Sequence, residues 1–259
     1  MGGYAALYWA GFRRQSRYVA SLTVGIAANV FFGIIRSALF VTLYRQRDQV
    51  AGLDITAVLT YVWILQVVFG VVFISWIWEF ADSVRSGDFA AELVRPGAVL
   101  GRLLAVDLGR SSFALATRGL PQLVVAGIVL DLRLPTTPPG VVMLALSLAL
   151  CAVAASELRF LFGSLAFWTP DYRGWWTMLF GFLWFTGGFL VPVEFFPGAL
   201  RWIGEYGPLS GLLAMPVRVA TGRGAASALA VQACWVLIAA AACHAVMATA
   251  ERRMVIHGG

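Results

Sequence analysis

Apolar residues run through this chain in long blocks separated by short polar intervals. Six blocks are long enough to cross the hydrocarbon core of a bilayer as helices, which takes about 20 residues. They are 19–43, 57–78, 103–130, 141–167, 175–191 and 225–248. None alternates with period two, so barrel strands do not compete. The first block follows Arg13, Arg14 and Arg17 and outruns the apolar core of a signal peptide, so it reads as a retained span. Ahead of it, Tyr4, Tyr8 and Phe12 recur every fourth position with Leu7 beside them, which predicts an amphipathic interfacial helix over 1–18. Residues 192–224 carry Pro192, Pro197, Pro208 and Pro216 and cannot form one helix. They stay apolar all the same, through Phe195, Phe196, Trp202, Leu209, Leu212 and Leu213, which predicts a re-entrant helical hairpin. The expected fold is an all-α membrane protein of six transmembrane helices, with 1–259 as a single transmembrane domain.

Composition sharpens this picture. Of 259 residues, 60% are apolar and 12% charged, against roughly 45–50% and about 25% in soluble domains. That excludes a water-soluble fold and intrinsic disorder. The 10 Trp, 7 Tyr and 18 Phe suit a protein with two interfaces to anchor, and Trp63, Trp76, Trp78, Trp168, Trp175, Trp176 and Trp202 mostly fall near block ends. All 19 basic residues are arginine, and the net charge is +6. Without lysine there is no Walker A loop and no Schiff-base nucleophile, so ATP that drives this protein is bound by another chain.

Cys151, Cys234 and Cys243 sit in apolar runs without C-x-x-C spacing and read as small buried packing residues. His244 and His257 have no acid or Cys at ligand spacing, so neither a metal nor a cofactor is expected on this chain. With the N-terminus inside, Arg13, Arg14, Arg17, Arg85, Arg95, Arg102, Arg173, Arg252 and Arg253 face the cytoplasm. Arg45, Arg47, Arg133, Arg201, Arg218 and Arg223 face outward. This bias places both termini in the cytoplasm.

The cytoplasmic interval 79–102 has a pattern of its own. Ser86-Gly87-Asp88 is a helix-start signal with Asp88 as N-cap. Phe89 and Leu93 lie one turn apart on one face, and Pro96 stops the helix at Arg95. The pattern predicts a capped amphipathic helix of about two turns, whose Phe89 and Leu93 plug a partner's groove. On that reading Phe89→Asp leaves the chain folded. A solvated loop with a chance cap fits the local pattern equally well.

Ionisable groups inside spans cost about 2.5–3.5 kcal/mol at a helix centre and require partners. Asp107 and Arg110, at i,i+3, are expected to pair with each other. Glu157 and Arg159 are expected to bond the 79–102 loop or reach the headgroups. Arg118 and Arg36 have no acid nearby in sequence. Arg118, with Phe180, Trp184 and Phe185, forms the candidate substrate path, where the rings offer stacking to an amphipathic or cationic molecule. Lipid or protein packing is the plainer reading of each ring.

Four stretches resemble, in order and spacing, the membrane subunits of type 2 ABC exporters, in the branch of six-span permeases often paired as unlike chains beside one ATPase. They are R-S-G-D-F-A-A-E-L-V-R-P at 85–96, F-G-S-L-A-F-W-T at 162–169, G-G-F-L-V-P-V-E-F-F-P at 187–197 and V-I-H-G-G at 255–259. The resemblance implies that 85–96 is a coupling helix that docks on the ATPase through Arg85, Ser86, Gly87, Asp88, Phe89, Glu92, Leu93, Arg95 and Pro96. It implies that the N-terminal helix braces this contact, that the broken hairpin follows the fifth span, and that the first, second and fifth spans form the dimer contact and path.

The resemblance also implies a non-catalytic subunit in the bacterial cytoplasmic (inner) membrane. Its partners would be an ABC ATPase subunit dimer holding ATP and Mg, a second permease chain (an unlike paralogue before a second copy) and the lipid bilayer, with no nucleic acid. The substrate would be an amphipathic drug, natural product or lipid moved outward. An importer of a hydrophilic solute is the near alternative. A channel would need a repeated polar ring, and an intramembrane enzyme a His/Asp, Ser/Lys or metal constellation; the spans show neither.

Overall fold

The computed structural model describes residues 2–16, 19–72, 76–169 and 172–257, so Arg17, Gly258 and Gly259 of the readings above lie outside the described residues. Eleven helices and no sheet make up what is described. In chain order they are α1 (Gly2–Ser16), α2 (Val19–Tyr44), α3 (Ile55–Val72), α4 (Trp76–Ser86), α5 (Ala90–Leu93) and α6 (Val99–Val129). Then follow α7 (Pro138–Gly163), α8 (Tyr172–Thr186), α9 (Gly198–Tyr206), α10 (Ala214–Ala220) and α11 (Ala225–His257).

Five of these helices, α2, α3, α6, α7 and α11, are long and apolar enough to span a bilayer. The expected fifth span, 175–191, departs from the pattern. Its helix α8 has 15 residues, about 22 Å at 1.5 Å per residue, short of a hydrocarbon core of about 30 Å. Gly187-Gly188 ends it: Gly188 takes a left-handed φ of +80°, which only glycine adopts without strain. The Tyr61 hydroxyl donates to the Gly188 carbonyl at 2.7 Å and holds the break against α3.

Helix α3 is the centre of the bundle, with 83% of it buried by the rest of the chain. Tyr61, Ile64, Leu65 and Val68 pack with Cys151, Ala155, Leu183 and Leu213. Lipid tails are as apolar as these side chains, so close packing and hydrogen bonds, more than water exclusion, select the arrangement. Gly33 on α2 shows how: a Cβ there would stand 3.1 Å from the Trp63 ring. The open space lets Trp63 lie on α2 and donate to Ser37 Oγ at 3.2 Å. Because α3 is enclosed, it has little face left to line a dimer path, unlike the expectation. Exposed apolar faces lie on α2 (Phe31, Phe32, Ile35, Leu39) and α8 (Trp175, Met178, Phe182, Phe185), and also on the second half of α6 (Val124, Val125, Ile128), the start of α7 (Val141, Val142) and α11 (Leu237, Ile238).

Helix α6 contains a π-helical turn, Leu115–Gly119. Pro121 supplies the reason, since it has no N–H and its ring crowds the carbonyl of Thr117 four residues back. The segment after α8 divides as its prolines require. Helix α9 lies at the surface, with Trp202 and Ile203 exposed, and α10 is buried against α3, α7 and α11. Its approach segment leaves helix-unpaired carbonyls that spans satisfy: Gln232 Nε2 donates to Gly211 O at 2.7 Å and Cys151 Sγ to Leu212 O at 3.2 Å. Gln232 also accepts from Ser147 Oγ at 2.7 Å. The expected packing role fits Cys151 and Cys243, while Cys234 is exposed.

Helix α1 forms as expected and runs alongside the first half of α6 in the same direction. Tyr4 meets Gly101, and the Phe12 and Phe113 rings stand 5.2 Å apart. The backbones touch between them: a Cβ on Gly11 would fall on Val106 O, and one on Gly109 on Tyr8 O. At the far end of the bundle, Asp54 caps α3 by accepting from the Ala57 N–H at 2.8 Å, and it pairs with Arg133 at 2.7 Å.

Two outcomes follow from these contacts. Gly109→Leu is expected to detach α1 from α6 while the rest of the bundle stays folded, read as protease access near residue 13 without loss of helical signal. Asp54→Ala is expected to cost about 1 kcal/mol, the ordinary worth of a cap. The Ala57 N–H, then Arg133, hold the Asp54 carboxyl below its usual range. Its contribution is therefore full above the ordinary carboxylate pKa and fades as pH falls through the lower folded value. Thermal unfolding in detergent between pH 7 and pH 3 should show a flatter pH dependence in Asp54→Asn, which keeps a capping oxygen.

Candidate coupling loop and membrane path

The loop between α4 and α6 is shorter in helix and more tightly held than its sequence pattern suggests. Gly87, at φ +84°, turns the chain at the end of α4, and the Phe89 N–H donates back to Ser83 O at 3.0 Å. Helix α5 is a single turn, Ala90–Leu93, in place of the expected two. Asp88 does not cap it: the cap position is Phe89, with no side-chain bond. The Asp88 carboxylate instead accepts from Ser86 Oγ at 2.7 Å. The turn is closed by backbone bonds from Ala90, Ala91 and Glu92 to Gly87, Asp88 and Phe89.

Phe89 points inward, where an outward plug was expected. It is 1% exposed, edge-on to Phe80 at 5.3 Å and to Phe167 at 5.8 Å. Phe160, Ala114, Cys243 and Met247 complete the cluster, with Leu93 at its margin. One ring therefore ties the loop to α4, α6, α7 and α11. Phe89→Asp would put a carboxylate into this cluster, so the expectation that it spares the fold is corrected. The outer face of the loop is left to Arg85, Ser86, Gly87, Asp88, Arg95, Pro96 and above all Val94, which is 85% exposed.

The residue that fastens the other end of the loop is Arg102, which sequence reasoning had placed only in the charge count. Its buried guanidinium donates from Nη1 to the carbonyls of Arg95 and Pro96 at 3.1 Å each and of Gly97 at 2.5 Å. Nη2 donates to Glu92 O and lies 3.7 Å from the Glu92 carboxylate. Arg95 takes Glu92 Oε1 at 2.6 Å. The sequence signal was an arginine in the first turn of an apolar helix, just after a Pro-Gly turn whose carbonyls have no helix or strand to pair with.

Beneath the loop, the intrahelical pair expected from Asp107 and Arg110 is replaced by two pairs between helices. Asp107 pairs with Arg159 of α7, both fully buried. Arg159 Nη1 also donates to Val72 O at 2.8 Å, at the end of α3. Arg159 thus does not reach outward as expected. Arg110 bonds Glu79 of α4 at 2.9 Å, and Glu79 also holds Arg14 of α1 at 3.2 Å. The buried Asp107 finds a guanidinium on the facing α7, and the buried Arg110 finds the half-exposed Glu79 on α4, as a buried charge requires.

The four candidate path residues do not form one site. Phe180 and Trp184 stack with ring centres 5.2 Å apart, and Trp184 reaches Phe189 at 4.8 Å. Phe69 lies on Phe189 at 4.9 Å, and the Arg36 guanidinium covers the same ring at 3.8 Å. Arg36 was expected to need a partner, and a ring face answers it in part. Phe185 is on the exposed face of α8, stacked on Phe196 at 6.0 Å. Arg118 lies on the π turn of α6, against Gly25 of α2 and Gly70 of α3, with its Nε buried and without a hydrogen-bond partner among the described residues.

The arrangement separates stability from surface. Arg159→Ala is expected to cost about 3–5 kcal/mol, because it strands a buried carboxylate, whereas Arg95→Ala should cost no more than about 1 kcal/mol, as exposed pairs do. Detergent thermal unfolding of the two variants checks the contrast.

The comparisons with known proteins complete the picture. The family described as ABC-2 family transporter protein matches residues 31–258. No match arises among curated proteins or solved structures. The chain belongs to the ABC-2 family of transporter membrane proteins, as a non-catalytic, multi-pass permease subunit.

Proposed function

We propose that this permease is half of the membrane path of an ATP-driven exporter for an amphipathic small molecule, in the bacterial cytoplasmic membrane. A separate ABC ATPase dimer holds ATP and Mg. The observation that supports this most is the build of 85–96: Phe89 and Arg102 clamp the loop to the ends of several spans, while Val94 and its charged neighbours face outward. A push on such a rigid handle moves helices instead of bending a loop. The docking face in this reading is Val94 with Arg85, Asp88 and Arg95, while Phe89, Glu92 and Leu93 position it from within.

In the same reading α8 and residues 187–191 together make a fifth crossing, so that six crossings leave both termini in the cytoplasm. Residues 192–224 form the re-entrant hairpin, and α1 braces the coupling end. A second permease chain, an unlike paralogue before a second copy, covers the exposed faces of α2 and α8. The path then runs past Phe180, Trp184 and Phe185, with Arg118 at its inner approach.

The test is co-purification of the ATPase followed by dye transport in inverted vesicles. Val94→Asp should weaken ATPase association about tenfold, the worth of one buried Val, and leave thermal stability unchanged. Normal association and transport in that variant would remove 85–96 from the interface. Accumulation of an amphipathic dye inside inverted vesicles supports export, and ATP-driven loss of preloaded dye points to import.

A further inference from the structure

A cavity of about 270 Å³ lies between the first turns of α6, the last turns of α7 and the middle of α11. Leu103, Leu104, Phe160 and Ala240 give it apolar walls, and Glu157 and His244 are its ionisable lining residues. No arginine lines it. Arg159, two residues beyond Glu157, is engaged by Asp107. The Cys243 thiol donates to the Glu157 backbone carbonyl at 3.6 Å and leaves the carboxylate unengaged. Glu157 Oε2 is buried and has no hydrogen-bond partner among the described residues. The side chain expected to bond the loop makes no such bond through this oxygen among the described residues.

A carboxylate held against apolar walls inside a membrane protein is costly without a cation beside it. Among the described residues no arginine lines the cavity, and the space beside the acid is open at the exposed His244 rim. We infer that this cavity is a lateral binding site for a protonated amine carried on an apolar body. The ammonium sits on Glu157, and the apolar body lies along Leu103, Leu104 and Phe160. Two sources have this chemistry, the headgroup of phosphatidylethanolamine and a free lipophilic amine. The site is distinct from the proposed path on α8 and stands whether transport is outward or inward. It also touches the handle: Phe160 and Cys243 belong to the cluster that holds Phe89, so an occupant bears on the same side chains as the coupling loop.

The experiment uses the whole chain in nanodiscs, with monodispersity as the check on folding. In one arm the discs contain phosphatidylcholine and phosphatidylethanolamine in equal parts, and native mass spectrometry counts the lipid retained. In the other, discs of phosphatidylcholine alone are titrated with dodecylamine, with dodecanol as the uncharged control. Wild type should retain phosphatidylethanolamine, or bind dodecylamine in preference to dodecanol. Glu157→Gln should weaken that binding about ten- to hundredfold, as loss of a charged hydrogen bond does. Ala240→Phe, which fills the cavity from α11 and leaves the acid in place, should weaken it too. Retention of the lipid assigns the headgroup, and dodecylamine binding without lipid retention assigns the free amine. Equal binding of dodecanol, or unchanged binding in both variants, overturns the proposal.

Discussion

A guanidinium enclosed among apolar helices must be neutralised and must use its donors, and the loop end of this protein is organised around how Arg159 meets that demand. It reaches Asp107 on α6 for charge and the Val71 and Val72 carbonyls of α3 for hydrogen bonds. A single α7 side chain thereby bonds the α3 backbone, neutralises α6 and sets the relative height of three spans. An apolar replacement of the same volume could hold the helices together equally well. What an ion pair adds is register, because a slip of one turn would strand both charges.

Register at Arg159 makes the layer above it possible. With α3, α6 and α7 set in height, Arg110 falls opposite Glu79, and Glu79 opposite Arg14, which brings α4 and α1 into the same layer. The close passage of Gly11 and Gly109 then lets α1 lie on α6 at backbone contact. Phe80, Phe160 and Phe167 converge above these pairs and leave a slot that Phe89 fills. Charge pairs set the heights and aromatic packing seals them. The loop between α4 and α6 is the outermost course of this stack, which is why a turn of four residues can be rigid.

The opposite end is built differently. There the hairpin after α8 is taken into the bundle, and the difficulty is its backbone. Gln232, Ser147 and Cys151 are modest polar groups in otherwise apolar helices: Gln232 and Cys151 answer the carbonyls of Gly211 and Leu212, and Ser147 donates to the Gln232 side chain. A broken segment is tolerated in the packed interior because protein donors answer its buried carbonyls.

Much of this was legible in the chain by itself. Span positions depend on summed hydropathy over about 20 residues, a local quantity, so α2, α6, α7 and α11 fall close to their expected limits. The break in helix after α8 was legible from its prolines, and the turn between α4 and α6 from Ser86-Gly87 and Pro96. The pairing of charges was not, because spacing along a helix ranks only intrahelical neighbours. Asp107 and Arg110 suit each other at i,i+3, yet their side chains leave α6 in directions that meet Arg159 and Glu79 first. The direction of Phe89 was equally hidden. A short amphipathic turn has one apolar face whether that face meets a partner or its own chain, and only the convergence of Phe80, Phe160 and Phe167 decided that it turns inward. Arg102 shows the same limit: its partners are backbone carbonyls, which every residue has and no sequence pattern distinguishes. The sequence by itself determined which segments are helical and apolar. The tertiary structure decided which groups face one another, because burial forces each charge and each unpaired carbonyl to take whatever partner the packing brings within reach.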